Sequence, residues 1–243
     1  MAKIDGSRHI LITGATDGIG LHLLNCFAQQ GYTVAGTGSR PSTKLPDIWP
    51  KNALYIRADQ SDAKIGELIL KKLSKNGWNK LDNLVLNAGT GWIGSPQEEP
   101  LEIMQRTLSV NLEAPISIAW QLASMLKKSD KGQLTLIGST ARNGHPDFAT
   151  YTASKAGLVG FGRALASEWQ GMTQVQVIDP GPTATTMHQK AGMKQSIIQR
   201  LFMSPELVAE RIHELINLRK PKARIGRLDI ELFRIRKTFQ AGG

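Results

Sequence analysis

Short β-rich runs alternate with longer helical patterns along almost the whole chain, and this alternation restricts the fold more than any single motif does. Residues 8–13 read as a buried strand and 18–30 as a helix. Further strands are expected at 32–37, 53–56, 81–86, 133–137 and 175–178, and further helices at 62–74, 100–128 and 151–169. Strands separated by helices in this way pair in parallel, with helices on both faces of the sheet. No internal repeat, low-complexity segment or linker interrupts the pattern, so residues 1–243 are read as a single α/β domain. The least regular stretches, 39–52 and 185–203, follow strands two and six. Both fall at carboxyl ends of strands, where open α/β sheets bind ligands.

Composition narrows the class. Apolar content of 41% and charged content of 21% are those of a globular protein. No run approaches the roughly 18 apolar residues of a membrane span. The start, 1–8, lacks a signal-peptide apolar run, and a cytoplasmic location is expected. The single Cys26 excludes a disulfide framework and reads as a buried thiol within the helical stretch 21–27. No metal ligand set is expected. The formal charge of +10 is uneven: from Arg211 onward nine basic residues face three acids, a net +6. Such a tail reads either as a solvated face or as a surface for an anionic partner. The solvated face is favoured, and the sparse aromatics argue against a nucleic-acid partner.

Two motifs carry chemistry. Thr13-Gly14-Ala15-Thr16-Asp17-Gly18-Ile19-Gly20 follows strand one and opens a helix. Gly14 permits a tight turn, Gly18 a close approach of pyrophosphate, and Gly20 close helix packing, with the helix N-terminus facing the phosphates. An ordinary glycine-rich loop is the bland alternative; the strand–helix context favours the phosphate site. In Tyr151-Thr152-Ala153-Ser154-Lys155 the phenol and ammonium share one helix face. A cation beside tyrosine is expected to bring its proton loss from about pH 10 towards neutrality, which suits a general acid/base. Alone, Tyr-x3-Lys is a chance-prone pattern.

Taken together, Thr-Gly-x3-Gly-Ile-Gly, then Asn87-Ala88-Gly89, Asn111, Ser139, Tyr151-x3-Lys155 and Pro180-Gly181, the sequence resembles the short-chain dehydrogenase/reductase family over about 8–210. The resemblance implies a doubly wound Rossmann fold, a nicotinamide cofactor (NADP or NAD) and hydride transfer at a carbonyl or alcohol carbon of a small molecule. It also implies a homodimer or homotetramer.

The same resemblance distributes roles. Asn111, Ser139, Tyr151 and Lys155 are the expected catalytic set, with Asn111 kinking its helix and holding a water that links the lysine to solvent. Ser139, expected at the end of strand five, can donate to a substrate carbonyl oxygen. Thr140 is its neighbour but, as an adjacent strand residue, is expected to point away. Expected cofactor contacts are Gly14, Thr16, Asp17, Gly18, Ile19 and Gly20 in the first turn, then Asp59 at the adenine. Asn87, Ala88 and Gly89 line strand four, Tyr151 and Lys155 contribute as well, and Pro180, Gly181, Thr183 and Thr185 hold the carboxamide. Near the end of strand two, Thr37, Gly38, Ser39 and Arg40 place glycine where NAD users carry an acid. A hydroxyl and a guanidinium suit a 2′-phosphate, whereas Asp17 in the glycine turn argues against it. The balance favours NADP over NAD.

The chain departs from the family in the loop before Tyr151 and in its C-terminal tail. Ser139 and Tyr151 stand one residue closer than is common in the family, which shortens the loop 142–147. His145 in that loop reads as a surface histidine or a substrate contact. The segment 185–203, with Met187 and Met193, reads as an adaptable lid. After a seventh strand at 223–228, residues 229–237 read as a short basic amphipathic helix in an atypical tail, 220–243. Alternative functions on the same fold are a 3-oxoacyl-thioester reductase and a redox-sensing regulator without turnover.

Overall fold

A computed structural model of the chain describes residues 8–185 and 202–241. Seven parallel strands form one sheet in the order β3-β2-β1-β4-β5-β6-β7. They are β1 (His9–Ile12), β2 (Thr33–Gly38), β3 (Leu54–Arg57), β4 (Asn83–Leu86), β5 (Gln133–Ile137), β6 (Gln174–Pro180) and β7 (Lys222–Ile225). The described α-helices are α1 (Gly18–Gln29), α2 (Ile65–Lys75), α3 (Leu101–Leu108), α4 (Ala114–Lys127), α5 (Ala149–Glu168), α6 (Pro205–Asn217) and α7 (Arg227–Ala241). The expected doubly wound α/β fold is therefore present.

Alternation along the strands divides the core between the two faces. Leu11 and Leu84 point to one side, with α2, α4 and α5 residues such as Ile69, Leu122 and Leu158. Ile10, Ile12 and Val85 point to the other, with Phe27 of α1 and Ile212 of α6. Each fully buried aliphatic side chain is worth about 1.5–3 kcal/mol in transfer from water. The sheet order reverses direction between β1 and β4, so their carboxyl ends open the crevice where doubly wound sheets bind ligands.

The structure refines the expected elements. The helical region 100–128 is broken by a π-helical turn, Ser109–Glu113. Pro115 follows it and lacks the N–H that would close the next α-type bond, so the wider turn absorbs the mismatch. Helix α6 was not among the expected elements. Strand β7 ends at Ile225, and α7 starts earlier and runs longer than 229–237. The lid expectation, 185–203, falls almost wholly on 186–201, outside the described residues.

The basic tail is partly neutralised by its own fold. Arg211 of α6 pairs with Asp229 at 3.0 Å, Arg236 with Glu214 at 2.5 Å and Lys237 with Glu210 at 2.6 Å, fastening α7 onto α6. Ile230 is buried in the core cluster with the apolar residues of α6, while Leu228, Leu232 and Ile235 are exposed. Among the described residues no helix is long and apolar enough to cross a membrane.

Candidate active site

The crevice at the β1/β4 switch is a cleft of about 780 Å³. At one end lies the glycine turn. Gly14 and Gly18 have φ of +64° and +49°, values that glycine adopts without strain. A Cβ on Gly14 would stand 2.8 Å from Ala88 Cα, and one on Gly20 2.3 Å from the Gly14 carbonyl oxygen. The turn thus packs directly on the strand-four loop and on the start of α1. Asp17 caps α1, its Oδ1 accepting from Gly18 N–H at 2.7 Å. Thr16, Asp17, Gly18 and Ile19 line the cleft, with the Thr185 side chain across from Gly18.

The floor is β4's continuation. Thr13 Oγ1 accepts from the Asn87 and Ala88 N–H groups at 3.0 and 3.1 Å. Asn87 Nδ2 donates to the Thr13 carbonyl at 3.0 Å. Asn87, Ala88 and Gly89 therefore line the cleft with a fixed backbone. A Cβ on Gly89 would lie 3.6 Å from Lys155 Nζ, so glycine leaves the space before the lysine open. Pro180, Gly181, Thr183 and Thr185 form the opposite wall.

Not every expected contact residue reaches the cleft. Gly20 lies beneath Gly14. Thr37 is fully buried, and its Oγ1 accepts from Gln60 Nε2 at 3.1 Å, so it supports the turn and does not line the cleft. Ser39 lines the wall; Arg40 stands just outside it, bound to Asp17 at 3.2 Å. Asp59 lines the cleft and is held by Ser61 N–H at 2.9 Å and Arg106 at 3.2 Å. The Ser61 hydrogen bond, against a smaller effect of burial, keeps its carboxyl below the usual carboxylate range.

Ser139, Tyr151 and Lys155 converge at the other end. β5 stops at Ile137, and Ser139 caps a 3₁₀ turn, Thr140–Asn143, accepting from Ala141 N–H at 3.1 Å. Because the backbone leaves the strand there, Thr140 also lines the cleft instead of pointing away. Lys155 Nζ donates to the Ile137 carbonyl at 2.8 Å and lies 5.9 Å from the Tyr151 ring centroid. Asn111, fully buried in the π turn, is bonded to Thr90 and Ser154, behind the cleft wall.

The electrostatics depart from expectation at the tyrosine. Burial pushes the Tyr151 phenol above its ordinary value, with the Ser139 hydroxyl acting the other way. Lys155 does not bring it towards neutrality here, since its ammonium is turned to the Ile137 carbonyl. Burial pushes Lys155 itself down to about 8, and Asp179 opposes that fall. His145 is exposed yet lines the cleft mouth, stacked edge-on against Phe148 at 4.8 Å. Arg106, Phe148, Arg142 and Asp179 were not singled out in the sequence. An acid closing the β-rich run 175–178 was the one available signal for Asp179.

A parallel sheet with its crevice at the switch point, a glycine turn opening α1 and a Tyr-x3-Lys helix beside a serine define a dinucleotide-binding oxidoreductase architecture. Residues 8–196 match the family model described as short chain dehydrogenase, and the chain belongs to that family. It is 31% identical over 199 residues to an uncharacterised oxidoreductase of Escherichia coli K12, YciK, covering 76% of this chain and 77% of that one. It is 30% identical over 202 residues to the 3-oxoacyl-[acyl-carrier-protein] reductase FabG of Haemophilus influenzae, covering 77% and 81%. A crystallised short-chain dehydrogenase of Shigella flexneri, complexed with NADP, superposes with a TM-score of 0.81 at 25% identity. That match covers 92% of this chain and 98% of the other.

Proposed function

We propose that this protein is an NADP-preferring oxidoreductase that reduces a small carbonyl substrate, or oxidises the matching alcohol, with Tyr151 as general acid/base. The observation that carries the reading is the sharing of one cleft by the glycine turn and by Ser139, Tyr151 and Lys155. The residues present fit a dinucleotide: Gly14 and Gly20 let the turn pack flush against Ala88 and Asn87, and Gly89 carries no side chain before Lys155, which leaves the cleft beside them open. Gly14, Thr16, Gly18 and Ile19 would hold the pyrophosphate, aided by the α1 N-terminus. Asp59 would meet the adenine, Ser39 and Arg40 the ribose 2′ position, and Asn87, Ala88 and Gly89 would lie along the cofactor. Pro180, Gly181, Thr183 and Thr185 would hold the carboxamide end. When bound, the nicotinamide supplies or accepts the hydride.

The protein's own groups manage the oxygen and its proton. Ser139 Oγ and Tyr151 Oη hydrogen-bond the substrate oxygen and stabilise the charge that develops there. Burial keeps the Tyr151 phenol protonated at neutral pH, the state required to donate a proton in the reductive direction. Lys155 orients the ribose, held beside the Tyr151 ring by its hydrogen bond to the Ile137 carbonyl. Asn111 fixes the loop that carries Thr90 and the helix that carries Tyr151, on the route by which the proton is replaced.

The test is oxidation of NADPH and NADH with a panel of diketones, quinones and 3-oxoacyl thioesters, together with calorimetric titration of both cofactors. Binding of NADPH with substrate-dependent oxidation supports the reading. Failure to bind either nucleotide, or full turnover in Tyr151→Phe, overturns it.

A further inference from the structure

A buried ion pair lies directly behind Ser139. Asp179 of β6 is fully buried, and Arg142, in the turn after Ser139, reaches it at 2.8 Å from Nε to Oδ2. Taking two charges out of water is costly, and apolar residues of similar volume pack at least as well. Packing alone therefore gives no reason for the pair. Its neighbours do. Asp179 Oδ1 has no hydrogen-bond partner and lies against Gly138, where a Cβ would stand 2.1 Å from it. Gly138 links Ile137, whose carbonyl holds Lys155 Nζ, to Ser139. The turn bearing Arg142 is also fastened from the far side, because Thr152 Oγ1, next to Tyr151, donates to the Ala141 carbonyl at 2.9 Å.

We propose that Arg142 and Asp179 are positioning residues of the reaction centre: the pair fixes the turn that aims Ser139 and, through Gly138, the Ile137 carbonyl that holds Lys155. The effect on turnover rests on the oxidoreductase reading; the effect on Lys155 does not. The Tyr151 ring lies 5.9 Å from Lys155 Nζ, and the charge that acts on the amine is that of Asp179 from β6, which Arg142 pairs. Removing the Asp179 charge releases the Lys155 proton at lower pH. Removing the Arg142 charge leaves Asp179 unopposed and holds that proton to higher pH. A role in packing alone moves neither.

The experiment follows Lys155 in the full chain by ¹³Cε NMR of lysine-labelled protein, assigned against Lys155→Arg, in Asp179→Asn, Arg142→Gln and Arg142→Lys. The expected midpoints move down in the first and up in the second, and return towards wild type in the third. With NADPH and a quinone or diketone, kcat falls about ten- to hundredfold in the first two, as for a misplaced reacting group, while KM for NADPH changes little. The alkaline limb of the rate profile moves with the NMR midpoint. Unmoved midpoints, midpoints moving the same way, or wild-type kcat in both folded variants overturn the proposal. If a single variant does not fold, the neutral double variant Arg142→Gln/Asp179→Asn must titrate Lys155 below wild type, and an unmoved midpoint there overturns it too. Opposite shifts of Lys155 without turnover on any carbonyl would uphold the electrostatic link and sink the oxidoreductase reading instead.

Discussion

Thr90 and Asn111 hold each other by both polar ends: the Thr90 N–H donates to Asn111 Oδ1 at 2.9 Å, and Asn111 Nδ2 donates to the Thr90 carbonyl at 2.8 Å. The same amide reaches Ser154 Oγ at 3.0 Å, so one side chain joins the loop after β4, the π turn and α5. Asn111→Ala leaves the partly buried Thr90 N–H and carbonyl without their partner. The expected loss is about 2–4 kcal/mol, read from the urea midpoint at unchanged m-value. A variant as stable as wild type would show that the clasp contributes nothing to the fold.

Tyr151→Phe keeps the ring and its packing and removes only the hydroxyl. Turnover should fall about 10²–10⁴-fold, the usual worth of a positioned acid, with the NADPH dissociation constant nearly unchanged. Steady-state kinetics beside calorimetry separate the two effects.

Lys155 makes stability depend on pH. Its amine is pushed from 10.5 down to about 8 in the folded chain. Between those values the unfolded chain holds a proton that the folded chain has released, so stability rises with pH across that window. Below about 8 the fold carries the full cost of a buried ammonium. Lys155→Met relieves that cost but leaves the Ile137 carbonyl unpaired. A net gain of about 1–2 kcal/mol is expected at neutral pH, with a flattened pH dependence above 8 and lost activity. Denaturation series at several pH values check it, and a less stable variant at neutral pH would contradict it.

Arg40 and Asp17 divide the cofactor question between them. Their 3.2 Å pair is partly exposed, and such pairs are worth about 0.2–1 kcal/mol. Asp17→Asn frees the guanidinium, so NADPH should bind about two- to fivefold more tightly relative to NADH. Arg40→Ala removes a charge-assisted contact worth about 1.5–3 kcal/mol and should weaken NADPH about ten- to hundredfold while sparing NADH. Equal losses for both cofactors would place Arg40 outside the 2′ subsite.

The parallel sheet was legible because short β-rich runs, such as 133–137 and 175–178, alternate with longer helical stretches. The glycine turn was legible because its neighbours demand glycine at fixed offsets. Helix α6 carried its own signals, Pro205 in the first turn and Val208, Ile212, Leu215 and Ile216 at helical spacing, yet it follows an irregular stretch that masks its start. The resemblance placed a kink at Asn111, but the form it takes, a π turn, was not legible, since no residue type marks a bond one position too long. The Arg142–Asp179 pair spans 37 positions and exists only once β5 and β6 lie side by side. The direction of the Tyr151 shift was missed for a similar reason: sequence spacing brings a lysine near, but burial and the Ile137 carbonyl decide where its ammonium points.

The contact between Gly138 and Asp179 has a consequence for descent. A β-carbon at 138 and a carboxylate at 179 claim the same volume, so neither position is free to drift alone. A lineage that carries Asp179 is confined to glycine at 138, and any descendant that gains a side chain there must first have given up the acid, and with it the partner of Arg142. Among relatives, a side chain at 138 should occur only where 179 is no longer an acid.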